Sequence, residues 1–351
     1  MEQFMGTSAS GNLMEAVKGL QNPKLILLFS NVSTFANHVK ELEKLYPNVP
    51  SIGCTGNSYV KTQVIENGCS VIAFTGEIKV KTNVLTDVDR IPILRMRYLE
   101  EGLMEIGANQ EDTVCIDFCT GNDSCVVTTL NMSLRKRNIS LVGGTGWSTE
   151  VSVNGKLYEN ACVYALVKNL HGKIKTYKEN IYHPTSFRYL ATKTDPKAHK
   201  IITLNGRPAA DVYCEALKIP ASKIETQTYE NPFGRYIGSS IYIISIKEKQ
   251  ENGIVCFKQV NEMDILTILE LSDIRQVVQN TMTQIQRDFH HISGILSINC
   301  LFRYNLFSER GFFDTYLGWM GSLANHAGFI GMGEHYNAQH INQSMSCLVF
   351  E

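Results

Sequence analysis

The chain has 351 residues, of which 44% are hydrophobic and 19% are charged, as in a globular protein with a full core. Its net charge of -1 argues against a nucleic-acid-binding surface, which needs a basic patch. No apolar run reaches the roughly 18–20 residues that cross a bilayer, so we expect no membrane insertion. The length exceeds the usual domain of about 100–200 residues and favours two domains.

The cysteines bear on the cellular compartment. Of the ten cysteines, five lie inside apolar runs of the sequence: Cys115, Cys162, Cys256, Cys300 and Cys347. The first residues lack the charged stretch and the apolar stretch of a secretory signal peptide. We therefore expect buried, reduced thiols and a cytoplasmic protein.

Apolar runs and helical spacings follow one order along the chain. Lys24–Phe29 has the length and composition of a buried strand. Apolar residues then recur at helical spacing from Phe35 to Leu45, which indicates an amphipathic helix covering a sheet. A Gly-rich strand end at Ser51–Gly56 and a strand-like run at Cys69–Phe74 complete this first pass.

The same order occurs twice more. The second pass contains a helical pattern, a strand, a helix, a Gly-rich strand end and a final strand: Ile91–Gly107, Thr113–Phe118, Asp123–Arg137, Leu141–Gly146 and Cys162–Val167. The third pass consists of a helix that begins at Ser272 and of the segments Gly294–Phe302, Gly311–Leu323, Phe329–Glu334 and Cys347–Phe350. The repetition predicts an α/β fold of helix-strand-helix-strand-strand units, which form mixed sheets flanked by helices.

The pattern of predicted elements changes between the second and third passes. Short strand-like runs alternate with turns there, and Asn205-Gly206 is a strong hairpin signal. The change favours a division into domains at residues 1–205 and 206–351.

The three Gly-rich strand ends predict a pocket for a small polar ligand. Closely spaced glycines let backbone N–H groups approach a bound group. The first two turns supply candidate ligand-binding residues: Gly53, Cys54, Thr55, Gly144 and Thr145. The third turn adds Gly333 and Glu334, and it opens the densest polar stretch of the chain.

That polar stretch runs to Ser344 and offers further donors and acceptors. Asn337, His340 and Asn342 are candidates for the same pocket, since a few converging polar groups fix a polar ligand. The alternative is that these side chains satisfy the backbone of a long loop, as Asn and Gln often do.

Two charged residues at strand ends are candidate anchors. Arg303 follows an apolar strand, and a buried Arg needs a carboxylate. The partner is either Glu334 or Asp117 in a structural salt bridge, or the carboxylate of a ligand. Asp117 ends the strand of the second pass and either binds a ligand amine or caps a helix.

Catalysis and metal binding receive less support from the sequence. Cys54 is a nucleophile only if a base lies beside it, and the alternative is a small residue in a tight turn. The cysteines form no CxxC pair, and the glycine turns match neither the dinucleotide nor the phosphate-loop pattern. We therefore predict no catalytic residue, no metal and no cofactor.

Taken in order, several of these motifs resemble those of the FIST proteins, which have an N-terminal and a C-terminal FIST domain. The matching motifs are Ser51–Gly56, Gly143–Gly146, Cys300–Arg303, Gly333-Glu334 and His340–Ser344. Residues 202–213 resemble the join between the two domains, so the resemblance covers nearly the whole chain and divides it at residues 205 and 206.

The resemblance implies a sensory module of signalling proteins that binds a small ligand such as an amino acid. The output domains that usually accompany it, such as kinase or cyclase domains, do not occur here, so we expect a separate signalling protein as partner. Some relatives are haem-binding nitric-oxide sensors, and His335 or His340 would then be the axial ligand. An enzyme that uses Cys54 or Glu334 is the remaining alternative.

Overall fold

The computed structural model describes residues 1–90, 92–238 and 240–351. The predicted helix from Ile91 thus begins at a residue outside the described part. The chain forms two compact units. Unit 1 comprises Met1–Glu179, Gln279–His340 and Ser344–Glu351, and unit 2 comprises Asn180–Val278 and Ile341–Gln343. These units are discontinuous in sequence, and the boundary at residues 205 and 206 stays a prediction.

The strands account for most of the regular structure. In chain order they are β1 Glu2–Ser8, β2 Leu25–Ser30, β3 Ser51–Thr55, β4 Ser58–Val60, β5 Gln63–Ile65, β6 Cys69–Thr75, β7 Ile78–Thr86, β8 Thr113–Cys119, β9 Ser140–Thr145, β10 Glu150–Val153, β11 Lys156–Glu159, β12 Ala161–Asn169, β13 Ile174–Asn180, β14 Tyr182–Pro184, β15 Tyr189–Asp195, β16 Lys200–Leu204, β17 Arg207–Pro208, β18 Phe233–Ile237, β19 Ser240–Ile244, β20 Ile246–Gln250, β21 Gly253–Cys256, β22 Ile265–Leu271, β23 Gly294–Cys300, β24 His326–Gly331, β25 Glu334–Tyr336, β26 Gln339–Ile341 and β27 Ser344–Phe350.

The helices lie between these strands. They are α1 Leu13–Ala16, α2 Phe35–Leu45, α3 Met96–Glu105, α4 Asp123–Leu134, α5 Ala209–Leu217, α6 Ile274–Asp288, α7 Leu301–Glu309 and α8 Phe313–Leu323. The long third-pass helix begins after Asp273, whose carboxylate accepts hydrogen bonds from the first-turn N–H groups of Arg275 and Gln276. Asp273, not the predicted Ser272, is therefore the residue whose side chain caps this helix.

Unit 1 contains three six-stranded sheets. Their strand orders are β1-β6-β2-β3-β10-β11, β26-β25-β9-β8-β12-β7 and β13-β27-β23-β24-β4-β5. The centre of each sheet is a parallel pair, β2 with β3, β8 with β9 and β23 with β24, and an antiparallel strand follows on one side. This repetition confirms the predicted α/β fold of mixed sheets. The third repeat departs from the prediction because its strand ends at Cys300 and two helices follow.

The three sheets exchange hairpins. The hairpin β4-β5 follows β3 of the first sheet but pairs with β24 of the third. The hairpin β10-β11 follows β9 of the second sheet and pairs with β3 of the first. The strands β25 and β26 follow β24 of the third sheet, and β25 pairs with β9 of the second. Each repeat thus completes the sheet of another repeat, so none of the three can complete its sheet alone.

One apolar core lies among the inner faces of the three sheets. Phe29, Phe118 and Phe329, one from each sheet, meet with ring centroids 5.1, 5.1 and 5.8 Å apart. All three are fully buried. Such aromatic pairs add about 0.5–1.5 kcal/mol each beyond the area that they bury. The outer faces of the first and second sheets are covered by α1 and α2 and by α3 and α4.

Unit 2 is built around the nine strands β14 to β22, which form one sheet. The helix α5 packs on it, and its Tyr213 contacts Phe233 with ring centroids 5.1 Å apart. The hairpin predicted at Asn205-Gly206 joins β16 to β17, with both residues at positive φ. Throughout the described residues of both units, no helix is long and apolar enough to cross a membrane.

The first prediction concerns the helix α8. Gly318 lies exposed in its interior, and a Cβ atom there would meet no atom within 4 Å. Because glycine loses more backbone entropy than alanine on folding, Gly318→Ala should raise the free energy of unfolding by about 0.5–1 kcal/mol. Urea denaturation monitored by circular dichroism measures this, and a decrease in stability would contradict the open environment of the position.

Candidate functional site

The three glycine turns meet, but they bond to one another. The amide of Trp147 donates to the carbonyl of Thr55 at 2.9 Å. Thr145 exchanges hydrogen bonds with the third turn, since its amide donates to the carbonyl of Gly333 at 3.0 Å and its carbonyl accepts from Met332 at 2.9 Å. We call these bonded turns the glycine junction. The three N–H groups that donate across it are occupied by protein carbonyls and are not free to bind a ligand.

The glycines of these turns are close-packing positions. A Cβ atom at Gly53 would lie 2.7 Å from the carbonyl oxygen of Leu28, and one at Gly144 would lie 2.8 Å from that of Gly333. Backbone oxygens cannot retreat as flexible side chains do, so these positions require glycine for packing.

Cys54 lies in the apolar core between the sheets and is fully buried. Burial raises the pKa of its thiol well above the usual value. Within the described ranges no imidazole or ammonium group is hydrogen-bonded to it. The nucleophile hypothesis for Cys54 lacks its base and is wrong, and Cys54 is instead a small apolar residue in the core.

Asp117 and His335 meet across a glycine. Register places Asp117 beside Gly143 on the neighbouring strand, and Gly143 opposite His335 on the strand after that. Because Gly143 has no side chain, the Asp117 carboxylate reaches across it, and Oδ2 lies 2.7 Å from His335 Nδ1. A Cβ atom at Gly143 would lie 2.0 Å from Asp117 Oδ1. The glycine therefore makes room for a buried carboxylate–imidazole pair.

Two thiols complete this cluster. His335 Nε2 lies 3.8 Å from Cys119 Sγ, and Cys162 Sγ lies 3.5 Å from Asp117 Oδ2. All four side chains are fully buried on the outer face of the second sheet. We call Asp117, His335, Cys119 and Cys162 the thiol cluster. Asp117 Oδ1 has no hydrogen-bond partner among the described residues.

The charges in the thiol cluster shift each other's pKa values. Burial alone would lower the pKa of His335, but the Asp117 carboxylate and Cys119 together raise it well above the usual value. Burial raises the pKa of the Cys119 thiol, and the His335 ring opposes that shift. Both groups therefore hold a proton more strongly than usual, and the Asp117 carboxylate stabilises the cationic form of the imidazole.

Three polar residues lie next to the thiol cluster on its outer side. Thr145 Oγ1 is 3.7 Å from Cys119 Sγ and donates to Asp123 Oδ2 at 3.3 Å. His340 Nδ1 lies 2.9 Å from Asp123 Oδ1, and its ring contacts that of His335 edge to face. Asp117, Thr145 and His340, all predicted site residues, are thus brought together.

Arg303 lies elsewhere, in the first turn of α7, and its partner is neither Glu334 nor Asp117. The fully buried guanidinium forms an ion pair with Glu179 and donates to Asn299. It also lies 4.1 Å from the ring centroid of Phe307. The predicted salt-bridge partners were wrong because Glu179 comes from β13, far away in sequence, and both charges are compensated inside the protein.

Two of the remaining predicted residues, Glu334 and Asn337, satisfy protein groups. Glu334 is fully buried, and its carboxylate accepts hydrogen bonds from the Ser344 amide and hydroxyl at 3.3 and 2.8 Å. Asn337 Oδ1 accepts from the amide of Leu141 at 3.1 Å. Asn342 belongs to unit 2 and is therefore not grouped with the other candidates. For Asn337 the structural alternative, an amide that satisfies the backbone, is the one observed.

The two candidate axial ligands for haem already face protein groups. Both ring nitrogens of His335 face protein groups, Asp117 and Cys119, and the side chain is fully buried. His340 faces Asp123 through Nδ1. Coordination by His335 would require breaking a charged hydrogen bond. In the described part of the chain, no group of three His, Cys, Asp or Glu side chains is arranged to hold a metal ion.

An open cleft of about 310 Å³ lies at the end of the first parallel strand pair. It is lined by residues of the first two repeats: Asn31, Val32, Gly56, Asn57, Glu66, Asn67 and Trp147. Asn31 follows β2 and Gly56 follows β3, so the cleft opens beyond the carboxyl ends of two parallel strands. Open α/β sheets commonly bind ligands at this position.

Two parts of the cleft wall are held in place by neighbouring repeats. The Trp147 indole donates from Nε1 to the carbonyl of Ile330 at 2.7 Å. Tyr304 donates to Glu66 Oε1 at 3.1 Å. The predicted residue Thr55 lies behind the cleft, where its carbonyl accepts from the Trp147 amide. Trp147 is therefore part of both the cleft wall and the glycine junction.

The sequence analysis did not predict several residues of the thiol cluster and the cleft. Alternation along β8 places Cys115, Asp117 and Cys119 on one face, and this signal was available in the sequence. The meeting with His335 was not, since 218 positions separate it from Asp117. Asn57, Glu66 and Trp147 belong to no recognisable sequence motif, so no signal pointed to them.

A second prediction concerns Gly143. Gly143→Ala should lower the free energy of unfolding by about 3 kcal/mol or more, because the added methyl group overlaps both Oδ1 and the backbone oxygen of Asp117. The matched control is Gly146→Ala, whose closest contact would be 3.3 Å to Cys54 Cβ. Equal effects of the two substitutions in urea denaturation would contradict a specific role of Gly143.

A third prediction concerns the buried ion pair. Glu179→Gln should cost about 3–5 kcal/mol of stability, since it leaves the Arg303 guanidinium buried without a counter-charge. The double variant Glu179→Leu with Arg303→Met should recover part of that loss. The control is Glu105→Gln, which breaks the exposed pair with Lys81 and should cost less than about 1 kcal/mol. A loss of stability in Glu179→Gln as small as that in the control would contradict the importance of the buried ion pair.

Comparison with known proteins agrees with the resemblance drawn from the motifs. A model of the FIST N domain matches residues 24–207, and a model of the FIST C domain matches residues 209–337. No curated protein sequence matches the chain significantly. FIST domains are generally sensory or signal-transduction domains, and the chain belongs to the FIST family.

Proposed function

We propose that this chain is a cytoplasmic sensory protein that binds a small polar metabolite, such as an amino acid, without catalysis. It passes the signal to a separate signalling protein. The observation that carries the proposal is the cleft beside Trp147, because its size and polar lining suit a ligand of a few heavy atoms. All ten cysteines are free thiols, which supports a reducing compartment.

The chemistry of the lining supports a zwitterionic ligand. Glu66 supplies a carboxylate for an ammonium group. Asn57 and Asn67 supply amide N–H donors for a carboxylate, and Trp147 supplies a flat apolar wall. The cleft contains no Lys or Arg among its lining residues, so a strongly anionic ligand is disfavoured.

The position of the cleft suggests how binding is transmitted. Trp147 bonds to Thr55 of the first repeat through its amide and to Ile330 of the third through its indole. A ligand that orders Trp147 therefore stabilises the glycine junction, to which all three repeats contribute. The signalling partner would recognise that stabilised state, since a ligand shifts an equilibrium only by its differential affinity for the two states.

The fourth prediction tests this binding site. In a thermal-shift and calorimetry panel of the common amino acids, at least one should bind and stabilise the protein, by about 2.7 kcal/mol at a hundred times its Kd. Glu66→Gln should weaken that binding at least about tenfold through loss of a charged hydrogen bond. The panel includes the deaminated analogue of each hit, which should not bind.

The matched control is Tyr304→Phe, which removes the hydroxyl group that donates to Glu66 but leaves the carboxylate. It should retain binding within a few-fold. No stabilisation by any amino acid at millimolar concentration would contradict the ligand class. Binding that is unaffected by Glu66→Gln would place the site elsewhere.

A further inference from the structure

Two buried cysteines face each other in the thiol cluster. Register places Cys162 directly opposite Cys119 in the antiparallel pair of β8 and β12. Residues directly opposite in such a pair share a face and have Cβ atoms about 4.5–5.5 Å apart. Their Cα separation of about 4.5–5.5 Å lies within the range that disulfides span. A bond between the two thiols therefore requires little backbone movement.

His335 distinguishes Cys119 from its neighbours. Cys115 lies on the same face of β8, four positions earlier, and is equally buried. Among the described residues, its thiol makes no hydrogen bond to a ring nitrogen, whereas Cys119 Sγ lies 3.8 Å from His335 Nε2. The thiol, the imidazole and the carboxylate that orients the imidazole thus contact one another in sequence, as in sites that activate a thiol.

We infer that the thiol cluster is a hydroperoxide-reactive site, in which Cys119 is the attacking thiol, His335 and Asp117 activate it, and Cys162 resolves the oxidised product into a disulfide. The inference goes beyond the ligand cleft and does not depend on it.

The chemistry balances with a hydroperoxide as the oxidant. Asp117 holds His335 as an imidazolium, and the Cys119 thiol loses its proton to water, which leaves a thiolate beside that cation. The thiolate attacks one oxygen of the peroxide, the O–O bond breaks, and the leaving oxygen takes the proton from His335 as water or an alcohol, after which His335 regains a proton from water. Cys119 becomes a sulfenic acid. The Cys162 thiol then attacks that sulfur, an S–S bond forms, and the hydroxyl leaves with the Cys162 proton as water.

Burial selects the oxidant. Cys119 is fully buried, but Thr145, whose hydroxyl lies 3.7 Å from the sulfur, is partly exposed. The sulfur therefore lies one side chain below the surface. A small uncharged molecule such as hydrogen peroxide can pass this distance during local opening, while bulky disulfides such as glutathione disulfide are excluded.

To test this, the reduced protein is treated with a few equivalents of hydrogen peroxide, and the remaining thiols are then blocked. Mass spectrometry of the peptides shows which cysteines have formed a disulfide. The expected product is the Cys119–Cys162 disulfide, with free thiols falling from ten to eight. In Cys162→Ser, dimedone should trap the sulfenic acid at Cys119. Cys115→Ser is the matched control and should form the disulfide at the rate of the unchanged protein.

His335→Gln should slow the reaction about 100-fold, the usual contribution of a positioned general acid or base. Circular dichroism checks that this variant is folded. If it is not folded, the disulfide mapping of the unchanged protein still tests the inference. Oxidation that spares Cys119, or that reaches it only in denaturant, would overturn the inference. So would an unchanged rate in a folded His335→Gln variant. Glu66→Gln should leave the oxidation unaffected, so failure here is distinct from failure of the proposed ligand site.

Discussion

Backbone hydrogen bonds between the three glycine turns are the constraint on which the rest of unit 1 depends. Trp147 bonds to Thr55, and Thr145 exchanges hydrogen bonds with the turn at Met332 and Gly333. Each bond joins two different repeats. These contacts are possible because the turns carry glycine where a Cβ atom would overlap a neighbour. The exchanged hairpins add sheet hydrogen bonds between the same repeats, so the three sheets form one cooperative structure rather than three stacked domains.

The repeated fold was predictable from the sequence, because local signals specify it. The apolar run of β2 and the amphipathic period of α2 predict their elements directly. The hairpin exchange was not predictable, since the hydrophobic pattern of β4 or β10 is satisfied equally in any of the three sheets. The partner of Arg303 was likewise not predictable from the sequence. The burial of Arg303 was expected from its setting, but its partner Glu179 lies 124 positions away, and a single sequence carries no signal for that pairing.

The candidate sites differ in how far local patterns revealed them. Asp117 was selected as a charged residue at a strand end, Thr145 as part of a glycine turn and His335 as a haem ligand. Asp117 and His335 meet because Gly143 leaves space between two strands. The cleft residues Asn57 and Glu66 belong to no motif, and they become neighbours because they flank the paired strands of the hairpin β4-β5. In both sites, a side chain is held by a partner from another repeat: Trp147 by Ile330, Glu66 by Tyr304 and Asp117 by His335.

The glycine junction should open only when unit 1 unfolds as a whole. Native-state hydrogen exchange tests this most directly at the amides of Thr145, Trp147 and Met332, which donate across the junction. The three amides should exchange with one common free energy, equal to that of the strands β2, β8 and β23, and should respond identically to added denaturant. Exchange of any one of them at a much lower free energy than these strands would contradict the claim.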